Sequence, residues 1–343
     1  MATDTQPARP PRRRRILRWI GYILTGILAF VVALACIGAI WEAIESHRDQ
    51  ARFQAPGQLI DVGEHRLQLY CVGAGSPTVI LEAGGGNPWI SWYKVQPRVA
   101  EFTRVCSYDR AGLGWSDAST QAPTALEIAT ELHTLLGKAG IQGPYVMVGH
   151  SLGGMYVRMY QSRYPSEVVG LVLVDSSHPD QMERFPPALT KNAGSAGRVL
   201  AIMKFLRPLG LVRLVVARGA PPELRAQYGA LLSRPQFLAA VKAEIEAVPE
   251  SNAEVRRLGS LGDLPLAVLS HDPNKMQLPN NLTGPVNLAW EEMQTELTHL
   301  STRGTHEVVK GASHNIEIDE PEAVVAAIRT VFDEAKANAA VRR

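Results

Sequence analysis

The spacing of apolar residues changes character along the chain. Trp19–Trp41 is a run of 23 residues without a charge. As a helix rising 1.5 Å per residue it would extend roughly 35 Å, enough to cross a hydrocarbon core of about 30 Å. From Gln58 onward, short apolar runs alternate with segments of helical spacing. Gln58–Val62 and His65–Val72 read as a hairpin about Gly63-Glu64. Thr78–Leu81, Arg104–Tyr108, Tyr145–Val148, Val168–Val174, Leu266–Leu269 and Glu307–Val309 read as strands. Ala125–Ala139, Leu152–Tyr164, Glu291–Leu300 and Glu322–Ala335 read as helices, the last opened by Pro321. Apolar strands without polar alternation, separated by helices, predict an α/β fold with a parallel sheet covered on both faces.

Two stretches break this rhythm. Residues 42–57 are polar and end in Pro56-Gly57, which predicts a linker. Residues 179–262 are rich in Pro, Arg, Ala and Leu and carry helical signals between two strands. They read as an inserted helical cap on a core made of 58–178 and 263–343.

Composition is that of an ordered globular chain: 343 residues, 46% hydrophobic, 20% charged and 6% aromatic. The formal charge of +2 provides no basic field for nucleic acid. Its distribution matters more. Residues 1–41 hold six arginines and one acid, leaving 29 basic and 32 acidic residues in the remainder. The basic excess therefore belongs to a tail, residues 1–18, beside the apolar run. Arginines on the N-terminal side keep that end in the cytoplasm and send the rest of the chain outward. Trp19, Tyr22 and Trp41 sit toward the ends of the run, as interfacial aromatics do. Residues 19–41 are thus expected to be a transmembrane anchor in contact with the lipid bilayer. Ala33-Leu34-Ala35 keeps signal cleavage and secretion as the alternative, although the run exceeds the usual signal core.

Gly149-His150-Ser151-Leu152-Gly153 fits the G-x-S-x-G nucleophile elbow, with an apolar strand before it and a helical segment after it. A serine hydroxyl needs a base. His314 follows the last apolar strand and precedes the last helix, at the sheet edge where α/β folds place their sites. His306 sits at the wrong end of that strand, while His178 and His271 end strands and remain minor candidates. The base needs a carboxylate to fix its tautomer. Asp175 and Asp272 both end strands and both keep the order Ser, Asp, His. Asp272 lies in His-Asp-Pro-Asn, a turn signal that explains it otherwise, so Asp175 is preferred. An oxyanion needs two N–H donors. Leu152, after the nucleophile, supplies one; Gly85 in Gly84-Gly85-Gly86 is the first choice for the other and Gly86 the second. No phosphate loop, zinc-protease motif or clustered Cys/His set occurs, so no cofactor and no metal are expected.

With these residues in view, the chain from about Gln58 to Ala337 resembles the α/β-hydrolase fold family. The resemblance is carried by Gly84-Gly85-Gly86, the segment Tyr108–Ser116, Gly149–Gly154, Leu173-Val174-Asp175, and His314 followed by Pro321. It implies an eight-stranded, mostly parallel sheet with a cap inserted after the sixth strand. Most members place the acid after the seventh strand; a subset resembling some haloalkane dehalogenases places it after the sixth, matching Asp175. Ala83 departs from the histidine many members carry before the oxyanion glycine. The family's sheet order also makes the strands of Cys71 and Cys106 neighbours, leaving a disulfide or two buried thiols open.

Dehalogenases and epoxide hydrolases of this family use an aspartate nucleophile, and Ser151 argues against both. The expectation is a membrane-anchored serine hydrolase of carboxylic esters, its substrate a small molecule with lipid esters among the candidates. C–C bond hydrolysis, cofactor-free haloperoxidation and a non-catalytic binding role are the alternatives.

Overall fold

The computed structural model describes residues 12–190, 193–276, 278 and 281–341. Their contacts divide the chain into two compact units. One groups the N-terminal helix with Ile202–Ser233; the other comprises Gln54–Ala201 and Arg234–Arg343.

The larger unit holds an eight-stranded sheet. Its strands are β1 (Gln58–Asp61), β2 (Arg66–Val72), β3 (Thr78–Glu82), β4 (Val105–Tyr108), β5 (Tyr145–His150), β6 (Val168–Val174), β7 (Leu266–His271) and β8 (Gly304–Val309). They lie in the order β1-β2-β4-β3-β5-β6-β7-β8. Only the β1–β2 and β2–β4 pairs are antiparallel. Strands β3, β4 and β5 are buried along their whole length because both faces are covered. One face packs Ile80, Met147 and Leu173 with Leu132 and Tyr160. The other packs Val79, Val148 and Val172 with Trp92 and Ile328. Alternate strand residues thus feed two cores, as period-two geometry requires.

Cys71 and Cys106 stand opposite each other across β2 and β4 and form a disulfide. Helix Ala125–Lys138 buries Ile128, Leu132, Leu135 and Leu136 on one stripe. The Thr124 hydroxyl caps it by accepting from Glu127 N–H. Two further orphan donors at this end are taken by helix Phe237–Val255: Ala125 N–H donates to Ser251 Oγ and Leu126 N–H to the Glu254 carboxylate, both at 3.0 Å.

The smaller unit begins with one continuous helix, Arg12–Arg52. The expected linker at 42–57 is therefore helical for most of its length. Its Glu and Ala residues favour helix, and Ser46 to Glu42 and Arg48 to Glu45 are bonded at helical spacing. Among the described residues this helix is long and apolar enough to cross a membrane, a property shared with signal sequences. Near its C-terminal part, Arg213 from helix Leu211–Gly219 donates to Glu42 and Asp49. The segment between β6 and β7 is largely helical. Its contacts do not form one block, because Ile202–Ser233 groups with the N-terminal helix and its flanks with the sheet.

Candidate active site

Strand β5 ends at His150, and helix Leu152–Arg163 starts two residues later. Ser151 makes the whole turn, at φ 51° and ψ −123°. A non-glycine residue adopts this conformation only under tertiary constraint. Here Ser151 N–H donates to Val174 O at 3.1 Å, and Ser177 N–H donates to Ser151 O at 2.9 Å. The flanking glycines are steric necessities. A Cβ on Gly153 would lie 2.6 Å from the Glu82 carbonyl oxygen, and one on Gly149 would run into Gly153.

The Ser151 hydroxyl lies 3.0 Å from His314 Nε2, and His314 Nδ1 lies 2.6 Å from Asp175 Oδ2. An ionised carboxylate only accepts, so Nδ1 carries the proton and Nε2 faces the hydroxyl with its lone pair. Asp175 directly follows β6 with φ 42° and is fully buried. It is also held by groups that sequence reasoning did not assign. His271 N–H and Trp290 Nε1 donate to Oδ1 at 3.1 and 2.8 Å, and His271 Nδ1 lies 2.8 Å from Oδ2. Burial alone would raise the Asp175 pKa; the hydrogen bonds from His271 and His314 outweigh it and hold the group below the ordinary carboxylate range.

The other candidates lie elsewhere. Asp272 closes its own turn, accepting from Asn274 N–H at 2.9 Å and Gly311 N–H at 3.0 Å. His306 Nε2 meets Ser270 Oγ, and His178 faces Asp180 and Glu296. His150 Nε2 lies 2.9 Å from the His314 carbonyl oxygen, bracing the loop that carries His314. Burial and the neighbouring His314 push the His150 pKa down to about 3. Its Nδ1 faces Glu317 at 3.6 Å, and burial raises the Glu317 pKa to about 8.

The glycine loop after β3 is positioned by a buried ion cluster. Arg110 donates to Glu82 at 2.6 Å, to Glu244 at 2.7 Å, and to the carbonyls of Ala83 and Gly84. Tyr108 OH also donates to Glu82. Gly86 N–H is committed to Glu244 Oε2 at 2.6 Å, which removes the second-choice donor. Gly85 sits against Leu152, where an added Cβ would come within 2.6 Å of Leu152 Cδ1. Leu152 opens its helix, so its N–H has no intrahelical acceptor. Asp109 receives the N–H groups of Trp89 and Trp115, each at 2.8 Å, which fixes the Tyr108–Ser116 turn. Among the described residues no group of three or more His, Cys, Asp or Glu gathers as metal ligands.

A family model described as the alpha/beta hydrolase family matches residues 79–327. The chain belongs to the alpha/beta hydrolase family. The chain is 27% identical over 303 residues to an uncharacterized protein of Schizosaccharomyces pombe. The match covers 78% of this chain and 54% of that relative, so the chain spans about half of the relative's length. Solved structures of the same fold include a thermophilic esterase from Thermogutta terrifontis, with a TM-score of 0.60 and 20% identity. They also include the epoxide hydrolase CorEH, with a TM-score of 0.61 and 18% identity. Each of these two matches covers 81% of this chain and 97% of the other.

Proposed function

We propose that this alpha/beta hydrolase is a serine hydrolase that cleaves carboxylic esters through an acyl-enzyme. The observation that carries the reading is the bonded chain from Ser151 through His314 to Asp175. Ser151 Oγ attacks the ester carbonyl as His314 Nε2 takes its proton. Asp175 holds the imidazole tautomer and stabilises the imidazolium. The N–H groups of Gly85 and Leu152 receive the oxyanion, a contribution on the order of a hundredfold or more per donor. His314 then returns the proton to the leaving alcohol, and water repeats the sequence on the acyl-serine.

The nucleophile also discriminates between the chemistries of its structural neighbours. Opening an epoxide with a serine hydroxyl would leave an ether, which water at this site would not release. A carboxylic ester gives an acyl-serine that water can cleave. We further infer that the N-terminal helix is a retained anchor crossing the bilayer at residues 19–41, with the catalytic unit on the far side from the arginine tail. Support comes from its length, its exposed apolar surface and the flanking charge.

The test of the reaction class is turnover of p-nitrophenyl esters, an aryl epoxide and a vinylogous diketone side by side by the full chain in detergent. Ester turnover with little or none of the other two supports the proposal; the reverse order overturns it.

A further inference from the structure

In the smaller unit the cap segment 202–215 turns five of its apolar residues outward, while Val212 is buried. Ile202 and Phe205 are exposed one helical turn apart, Phe205 at 76%. Leu211, Leu214 and Val215 are exposed on one face of the following helix, at spacings of three and four. A cap helix facing water would present the opposite pattern, with polar residues out and these five inward. The polar group of that helix points the other way: Arg213 is turned inward and neutralised by Glu42 and Asp49.

The same unit indicates what covers this face. The N-terminal helix meets the segment at Gly38, where an added Cβ would lie 2.6 Å from the Leu209 carbonyl oxygen. Trp41 packs against Gly210, whose φ of 74° suits glycine. These contacts fall at the C-terminal end of the uncharged run Trp19–Trp41. They therefore tie segment 202–215 to the depth at which the helix would leave the bilayer. Besides Arg213, the segment carries Lys204 and Arg207 with no acid within 202–215 to offset them, a charge suited to lipid phosphates.

We propose that the outward face formed by Ile202, Phe205, Leu211, Leu214 and Val215 lies in the headgroup–acyl boundary of the bilayer that the N-terminal helix crosses. The segment is then a second, interfacial membrane contact. This rests on the anchoring half of the proposed function, and the test separates the two.

The test uses the full chain with Cys36→Ser, which leaves only the disulfide-bonded Cys71 and Cys106. Single cysteines introduced by Phe205→Cys, Leu214→Cys or Leu28→Cys are labelled with an environment-sensitive NBD dye. The protein is reconstituted in phosphatidylcholine–phosphatidylglycerol vesicles carrying shallow or deep doxyl-lipid quenchers. The expected result is blue-shifted emission at 205 and 214, quenched most by the shallow doxyl lipid, with the label at 28 quenched most by the deep one. A quenched label at 28 with unquenched labels at 205 and 214 overturns the interfacial contact and leaves the anchor intact. That holds whether the labels at 205 and 214 emit as in water or are shielded by a second copy of the chain. An unquenched label at 28 overturns the anchor and this proposal together.

Discussion

His271 Nδ1 lies 2.8 Å from the Asp175 oxygen that His314 also engages, so one buried carboxylate serves two histidines. Burial pulls the His271 pKa down, but the hydrogen bond and charge of Asp175 outweigh it and leave the pKa raised. A histidine whose folded pKa is raised adds stability that is complete below its unfolded pKa of about 6.5 and lost as pH rises through the folded value. His271→Gln is therefore expected to lower the melting temperature more at pH 6 than at pH 9. The cationic ring also offsets part of the Asp175 charge that His314 feels. Removing it should move the acidic limb of the kcat/KM profile to higher pH. A uniform loss of melting temperature at both pH values with an unmoved limb would count against this role.

Asp175 and Asp272 are separated by their partners. Asp175→Asn puts an amide where His314 Nδ1–H needs an acceptor, and should lower kcat by roughly 10³–10⁴-fold with little change in KM. Asp272→Asn touches only its own turn and the Gly311 N–H, and should leave kcat within about threefold, the scale of a surface change of under 1 kcal/mol. Steady-state ester kinetics on the two variants decides between them.

How much of this was legible in the sequence depends on the range of each contact. The elbow was legible because Tyr145–Val148, the turn and Leu152–Tyr164 are contiguous, and local pattern defines all three. His314 followed from its place after the last strand. Asp175 followed from ending an apolar run with no turn to explain it. The contact of His271 with Asp175 was not legible, because it depends on the β6–β7 register, in which Val174 pairs with Leu269. Glu244 lies 134 residues from Arg110, and its helical surroundings gave no sign of a buried partner. The helix through Arg52 was hidden because a polar stretch with good helix formers resembles a linker when its ion pairs are unseen.

The ion cluster beneath the glycine loop makes a separate prediction. Arg110→Met would leave Glu82 and Glu244 buried without their cation, an expected cost of about 3–5 kcal/mol in unfolding free energy. Glu244→Leu frees the Gly86 N–H and loosens the loop carrying Gly85. It should lower kcat about tenfold or more while KM changes little, and Glu244→Gln, which keeps an acceptor, should recover part of it. Denaturant unfolding and ester kinetics measure the two effects.

Glu317 predicts a pH effect of the opposite kind to a salt-bridged acid. Both of its carboxylate oxygens are buried without a hydrogen-bond partner, and its pKa is raised to about 8 by burial. The unfolded chain ionises near pH 4.5, while the folded chain holds the proton until about pH 8. Stability from this group therefore falls across that interval, by at most roughly 1.4 kcal/mol per pH unit. Glu317→Gln removes the dependence. Its melting temperature should match the parent near pH 5 and exceed it at pH 8; equal melting temperatures at both would refute the assignment.

The proposed chemistry requires Ser151 to be a nucleophile activated through His314. The most direct measurement is labelling of the full chain with a fluorophosphonate probe, with the modified residue located by peptide mass spectrometry. One adduct is expected, on Ser151, formed fast in the parent, much more slowly in His314→Ala, and not at all in Ser151→Ala. No adduct on Ser151 in the folded parent, or labelling that survives His314→Ala at the parental rate, would contradict it.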